Sequence, residues 1–383
     1  MAKDDNSLKY KKYEKAFSEK ARENGYSEDI IIKCLAYAKP IISRGFPVIY
    51  NTTHLCGLVG YNESYIKRAA KSKPTTTILY SSQNKKTKSF YRRFSIKKKD
   101  GTERILFEPL PSLKEIQHWI LNNILYHIEV SKYAKGYIPK RSIKGHLKYH
   151  VNNSELLVLD IANFFPSIQQ SFVEDVFLGI GYSHKISNLL ARLCCKNNSL
   201  PQGAPTSPYL SNIILASFDK DIAEYCNEKN LYYTRYADDL AFSTKKTKEG
   251  NTIRFSSDEL IGLVKSKLAP LNLRLNSQKT SLMLSQHPHF ISNISVLKKA
   301  QVPKKRRNDI RNQMFYIKKF GLKDHVQHIN RKNETQIDSY KYLKHLLGKV
   351  NYVLTINSKD EEFIGYKDYL YGLVNEDLAD ESK

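Results

Sequence analysis

An α+β fold is predicted from two patterns in the sequence. Short segments rich in aromatic and β-branched residues, separated by charged turns, lie between Ser89 and Glu108 and again between Leu231 and Ser243, while helical periodicity dominates elsewhere. A third observation places chemistry on that fold. In Leu231-Tyr-Tyr-Thr-Arg-Tyr-Ala-Asp-Asp-Leu-Ala-Phe-Ser243, adjacent carboxylates Asp238 and Asp239 fall between two strand-like runs, so the segment reads as a hairpin with both acids at its tip. Neighbouring ionised carboxylates repel each other, and a divalent cation relieves that repulsion. An isolated Asp-Asp pair is also common turn chemistry, and Asp4-Asp5 is a second one in this chain.

In chain order, residues 1–44 form a charged helical extension, with helices over Tyr10 to Arg22 and Ser27 to Ala38 that end near Pro40. Residues 45–150 begin with helical sequence to Lys71, where Asn62-Glu63-Ser64 provides a helix start. Three β-rich stretches follow: Thr75 to Tyr80, Ser89 to Ile96 and Arg104 to Glu108. The Asp100-Gly101 dipeptide is a hairpin signal between the last two, and together they read as a basic antiparallel finger. Leu113 to Ile128 is helical, and Lys144 to His150 is a mixed loop or helix. Residues 151–296 contain a buried strand, Leu156 to Leu159, which ends in Asp160. An acid at the end of a buried strand is costly unless it is used. Helices around Gln170 to Phe177 and His184 to Cys195 occupy residues 170–205, and a helix from Ser207 to Cys226 leads into the acidic hairpin. Ser256 to Ala269 reads as a helix, with Leu273 to Asn276 and Phe290 to Val296 as strands. Residues 297–383 are helical and basic.

The 383 residues carry 62 Lys plus Arg against 38 Asp plus Glu, a formal charge of +24 that points to a polyanionic partner. Tyr is abundant at 26 residues, and rings interleaved with cations can stack on bases. No run of 18 apolar residues exists and Met1 to Asn6 resembles no signal peptide, so the expectation is a soluble, cytoplasmic protein without a membrane partner. Five cysteines without CxxC spacing suggest buried thiols rather than disulfides or a zinc site.

Four motifs in order, Leu159-Asp-Ile-Ala-Asn-Phe-Phe165, Leu200-Pro-Gln-Gly-Ala-Pro-Thr-Ser-Pro-Tyr-Leu-Ser-Asn212, Tyr236-Ala-Asp-Asp239 and Leu275-Asn-Ser-Gln-Lys-Thr280, resemble the palm motifs of reverse transcriptases, and within that class the bacterial retron enzymes. The resemblance implies a right-hand polymerase fold: fingers over 45–150, an antiparallel palm with helices over 151–296, and a helical thumb from 297. It makes Asp160, Asp238 and Asp239 catalytic acids that bind two Mg²⁺ ions, with the Ile161 carbonyl as a further ligand. Oxygen donors of this kind suit Mg²⁺ in two-metal phosphoryl transfer.

The dNTP contacts implied are Lys97, Lys99 and Arg104 on the finger, Asn163, Phe164 and Phe165 after the first acid, Gln202, and Lys279. Phe165 falls where the family places an aromatic under the incoming sugar, and Lys279 could reach the pyrophosphate leaving group. Two motifs bear on the subfamily. His146-Leu147 stands where retron enzymes carry Asn-Ala, with His150 retained, and Ile291-Ser292-Asn293 stands where they carry Val-Thr-Gly. These residues, with Lys298, Lys299, Lys304, Lys305, Arg306, Arg307 and Arg311, are the expected RNA and DNA contacts; packed-loop roles for the two histidines stay open. A retron enzyme is implied to copy a cognate structured noncoding RNA from dNTPs, to retain an RNA-linked single-stranded DNA, and to act in anti-phage defence with an effector protein. Another defence-associated or group II intron-like reverse transcriptase, or a non-catalytic RNA-binding scaffold, are the alternatives.

Overall fold

The computed structural model describes residues 2–71, 89–97, 101–244, 255–284, 288–334 and 336–381. The chain opens with α1 (Ala2–Glu23) and α2 (Glu28–Ser43). Pro40 lies inside α2 rather than at its end. It removes one helical hydrogen bond, while Ile41 just beyond it is wholly buried and anchors the last turn. Asn51 and Asn62 accept hydrogen bonds from the backbone N–H of His54 and Tyr65, capping α3 (Thr52–Val59) and α4 (Glu63–Ala70). The expected strand over Thr75 to Tyr80 lies outside the described residues.

Strands β1 (Tyr91–Lys97) and β2 (Glu103–Pro109) pair antiparallel from Tyr91 with Pro109 to Lys97 with Glu103. Pro111 starts α5 (Pro111–Asn123), where a missing N–H costs nothing. Next come α6 (Ile143–Leu147), β3 (Glu155–Asp160), α7 (Phe164–Ser167), α8 (Gln170–Ile180) and α9 (His184–Cys194). The helix expected over Ser207 to Cys226 is two, α10 (Ser207–Ile214) and α11 (Ala216–Glu228), broken where Leu215 leaves helical geometry at ψ 7°.

The acidic hairpin is β4 (Leu231–Tyr236) and β5 (Asp239–Thr244), followed by α12 (Ser257–Leu268). Leu273 to Asn276 contributes a single bridge, Leu275 to Ile161, rather than a strand. A strand not expected from the sequence, β6 (Ser281–Leu284), is largely exposed and lacks a buried apolar face to announce it. Phe290 to Val296 is not one strand but a hairpin, β7 (Phe290–Ile291) and β8 (Ile294–Ser295). Ser292 and Asn293 both take positive φ, 48° and 62°, the signature of a two-residue turn whose twist matches antiparallel strands. Four helices finish the chain: α13 (Lys304–Phe320), α14 (Leu322–Asn333), α15 (Ser339–Ile356) and α16 (Glu361–Glu381). Among the described residues no helix is long and apolar enough to cross a membrane.

The chain divides into two compact units. The first comprises Met1–Pro139, Asp160–Tyr225 and Asp258–Gln278. Its core includes Ile41, Ile66, Ile116, Ile120, Phe177 and Leu190. Buried Gln117 donates to the Tyr91 hydroxyl at 3.0 Å and the Leu193 carbonyl at 2.8 Å, tying α5 to β1 and α9. Cys194 and Cys195 are buried, as expected, and so is Cys226 of the second unit, but Cys34 and Cys56 are partly exposed. Burial pushes the Cys194 thiol up to about 12.

The second unit comprises Lys140–Leu159, Cys226–Ser257 and Lys279–Lys383. It carries the four-stranded sheet, in the order β4-β5-β3-β6. Leu156 and Ala241 from the sheet join Ile291, Met314, Leu343, Leu346 and Phe363 in one core. Helix α13 buries Ile310, Met314 and Ile317, spaced at one helical face, and leaves Lys304, Lys305, Arg306, Lys318 and Lys319 exposed.

Candidate active site

The register of the acidic hairpin fixes where its carboxylates sit. Tyr236 pairs with Asp239, so the two-residue turn is Ala237-Asp238 and Asp239 is already the first residue of β5. The acids are therefore split between tip and strand rather than both occupying the turn. Ala237 takes φ 56°, a left-handed conformation that costs an alanine about 1 kcal/mol. Arg235 compensates from below: its side chain is fully buried and Nη1 donates to the Ala237 carbonyl at 3.2 Å. Nothing in the sequence marks Arg235 for this role, because Arg in a strand is ordinarily exposed. The Asp239 carboxylate accepts a 2.6 Å hydrogen bond from the Ser292 hydroxyl, presented by the left-handed turn between β7 and β8.

Behind the hairpin lies a buried polar network. His150 meets Ser243 through Nδ1 and Thr234 through Nε2, both at 2.7 Å, and Thr234 also meets His146 Nδ1 at 2.8 Å. Asn153 donates to Ser243 at 2.8 Å. The Thr234 hydroxyl has one hydrogen, so it cannot donate to both rings, and at least one imidazole must donate to it. Burial, then the neighbouring His146, push the His150 pKa well below its ordinary value, which keeps it neutral. His146 and His150, expected as nucleic-acid contacts, are 0% and 1% exposed. They brace the hairpin instead. Ile291 is likewise wholly buried, which removes its side chain from any nucleic-acid surface, whereas Asn293 is exposed.

Asp160 is the last residue of β3, the strand beside β5 in the sheet, and it is buried. Just beyond it, the Asn276 N–H donates to the Asp160 carbonyl at 2.7 Å and the Ala162 N–H to the Arg274 carbonyl at 2.8 Å. That bridge uses the backbone of the residues flanking Ile161, so the Ile161 carbonyl is not consumed by it. Asn163 turns the chain at φ 46° into α7. Phe164 is buried and Phe165 half-buried, their rings 5.2 Å apart, so Phe164 is a core residue and Phe165 the one with an accessible face. Among the described residues no three His, Cys, Asp or Glu side chains are gathered into a ready metal cage.

Elsewhere in the first unit, the loop bearing Gln202 lies against β2. The Gln202 carbonyl accepts from the Phe107 N–H at 2.8 Å, and Gly203 sits at φ 124°, where a Cβ would come within 2.9 Å of the Phe107 carbonyl oxygen. Only glycine permits that approach. Lys196, which nothing in the sequence singles out, places its ammonium 4.0 Å from the Phe107 ring centroid, and burial lowers its pKa. Arg104 and Lys97 are exposed at the far end of the β1–β2 hairpin, while Lys99 lies outside the described residues. Lys279, in the second unit, is exposed at the end of a short helical turn, Ser277–Lys279.

The basic residues after β8 sort into two groups. Lys298, Lys299, Lys304, Lys305 and Arg306 are exposed. Arg307 and Arg311 are instead engaged by acids near α16: Arg307 meets Asp360 at 2.9 Å, and Arg311 meets both oxygens of Glu362 at 2.6 Å. These two clamp α13 to the C-terminal helix, so their charge is largely spent within the protein.

Residues 96–345 match the family described as reverse transcriptase (RNA-dependent DNA polymerase). The chain belongs to that family: it is an RNA-directed DNA polymerase with the right-hand polymerase fold. Within the family it is of the retron type, being 31% identical over 242 residues to the retron Ec86 reverse transcriptase of Escherichia coli, across 62% of this chain and 73% of that one. The retron Ec83 reverse transcriptase of Escherichia coli is 28% identical over 251 residues, across 61% and 77% of the two chains. Among solved structures, a telomerase from Candida tropicalis aligns over 56% of this chain and 55% of its own, at TM-score 0.37 and 10% identity, and carries no part of the assignment.

Proposed function

We propose that this polymerase copies a cognate structured noncoding RNA into single-stranded DNA that remains joined to the RNA, using dNTPs, within a retron that defends its host against phage together with an effector protein. The observation that carries this reading is the likeness to retron Ec86 reverse transcriptase over nearly three quarters of that protein's length. Asp160, Asp238 and Asp239 are the proposed catalytic acids. They are supported by the sheet order, in which the strand ending at Asp160 neighbours the strand beginning at Asp239.

The donor set suits a hard divalent ion such as Mg²⁺: three carboxylates plus the Ile161 carbonyl are all oxygen, and no softer ligand stands among them. When bound, two Mg²⁺ ions supply charge neutralisation and activation of the attacking hydroxyl. The protein's own part is alignment. Arg235 and the histidine network hold the Asp238 turn, Ser292 orients Asp239, and the Asn276 contact fixes the main chain at Asp160. Gln202 and the half-exposed face of Phe165 are proposed to receive the incoming nucleotide. Arg104, Lys97, Lys99 and Lys279 are proposed phosphate contacts, with Arg favoured by its bidentate fork. Lys298, Lys299 and Lys304 to Arg306 are proposed to hold the nucleic-acid backbone.

Template-dependent dNTP incorporation by the intact chain, compared with the Asp238→Asn/Asp239→Asn double variant, tests the metal-site residues; equal incorporation would sink that assignment. Sequencing of copurifying nucleic acid tests the retron reading. A branched RNA–DNA molecule supports it, and random cellular RNA alone opposes it.

A further inference from the structure

The second unit contains a cavity of about 550 Å³ between α13 and α15, apart from the proposed catalytic acids. Buried Val302, Ile310 and Val353 line it with apolar surface, and the exposed ring of Tyr352 adds an aromatic wall. Its charged lining is weighted to cations: Arg306 and Lys344 are exposed, beside the exposed His345 ring, while the one acid, Asp309, already meets Lys349 at 3.4 Å. A volume in this range suits a small organic ligand. Apolar walls and an aromatic ring beneath excess positive charge match a flat apolar body that carries an anion. Lys304 and Lys305, exposed in the turn before Asp309, extend the positive surface past the cavity, as a ligand continuing into further phosphates requires.

Gly348 is part of the same wall. It lies in the interior of the 18-residue α15, where glycine costs about 0.5–1 kcal/mol relative to alanine. A Cβ there would meet nothing within 4 Å, so packing does not demand the glycine. What its bare Cα does provide is space in the cavity wall.

We propose that this cavity receives one unstacked nucleotide of a bound nucleic-acid strand, its base against Tyr352 and the apolar wall and its phosphate on Arg306 and Lys344. The inference rests on the polymerase assignment and not on the identity of the RNA copied. The test uses the intact chain and three fluorescent RNA hairpins of equal length: fully paired, with one bulged nucleotide, and with an abasic bulge. Fluorescence anisotropy should show tighter binding of the bulged hairpin by about 5- to 100-fold, the equivalent of one base stacked on one ring. The abasic bulge should lose that preference, as should Gly348→Leu, which fills the cavity, and Tyr352→Ala. Melting curves matching the unsubstituted protein establish that each variant is folded, and the abasic probe tests the idea with no variant at all.

Equal affinity for bulged and abasic hairpins overturns the proposal. So does competition by free ATP at concentrations similar to the bulged hairpin, which assigns the cavity to mononucleotides. Extension of a generic RNA template and DNA primer is followed in parallel. Robust extension without bulge preference removes this inference alone, whereas absent extension challenges the catalytic reading instead.

Discussion

Arg235, enclosed within the second unit, donates from Nη1 to the carbonyl of Ala237, the strained turn residue directly before Asp238. A buried guanidinium is expensive, and its hydrogen bond ties the β4 backbone to the turn whose geometry sets the position of a proposed catalytic acid.

Arg235→Leu should therefore affect catalysis more than its distance in sequence from the chemistry suggests. Removing the donor leaves a buried carbonyl without its partner, a loss of about 1–3 kcal/mol in stability. Single-nucleotide incorporation should show kcat falling by 10-fold or more while KM for the dNTP changes little, because the turn moves and the nucleotide contacts do not. An unchanged kcat in a folded variant would show that the turn holds itself. Arg235→Lys, which keeps a charge without the fork, should fall between the two.

Parts of this site were legible and parts were not, for identifiable reasons. The strand end at Asp160 and the hairpin carrying Asp238 and Asp239 were legible because their strand and turn chemistry is local in sequence, whereas Gln202 stood out only through the motif resemblance. Arg235 did not, because only the tertiary structure shows that it is enclosed. Arg307 and Arg311 read as free cations because their partners, Asp360 and Glu362, lie some fifty residues away. The β7–β8 hairpin read as one strand because its turn is Ser-Asn rather than a glycine pair, and β6 was missed because its exposed residues carry no burial signal.

Ser292 separates two effects that one position usually confounds. Its hydroxyl orients Asp239, while its backbone sits at φ 48°, where any residue but glycine is strained. Ser292→Gly should leave stability unchanged or raise it by up to about 1 kcal/mol, yet lower turnover several-fold through loss of a charge-assisted hydrogen bond. Urea unfolding and steady-state incorporation measure the two halves. If both rise together, Ser292 serves the turn alone.

Two glycines make opposite predictions. Gly203→Ala forces a Cβ against the Phe107 carbonyl at an unfavourable φ and should cost about 1–3 kcal/mol, raising KM for the incoming nucleotide as the Gln202 loop lifts from β2. Gly348→Ala adds a methyl into open space within a helix and should gain about 0.5–1 kcal/mol. Thermal melting of both variants reads the contrast directly, and destabilisation by the second would contradict the open environment at α15.

His150 makes stability depend on pH. In the folded chain, burial holds its pKa well below 6.5; in the unfolded chain it returns to about that value. The unfolded state therefore binds the extra proton as pH falls below about 6.5, and linkage makes folding less favourable there, by at most about 1.4 kcal/mol per pH unit for this one group. Above pH 6.5 its contribution is flat. Urea midpoints at pH 5, 6 and 7.5 should fall toward acid, and His150→Asn should be less sensitive by about one proton. An equal slope in the variant would assign the effect to other groups, such as His325, whose pKa burial also lowers.

The division among the α13 cations yields a salt-dependence test. Lys304 and Lys305 are exposed and available to phosphates, so replacing both with Ala should weaken binding to an RNA–DNA duplex and shrink the slope of log K against log salt by about 0.7–0.9 for each phosphate no longer neutralised. Arg311 is committed to Glu362 through two hydrogen bonds, so Arg311→Ala should leave that slope in place and instead cost about 0.5–1 kcal/mol of stability, modest because the pair is partly exposed to solvent. Filter binding across a range of salt concentrations, run beside urea unfolding, measures both. If Arg311→Ala shrank the slope as much as the double lysine variant, the guanidinium would be reaching nucleic acid despite its carboxylate, and the clamp between α13 and α16 would have to open when the duplex binds.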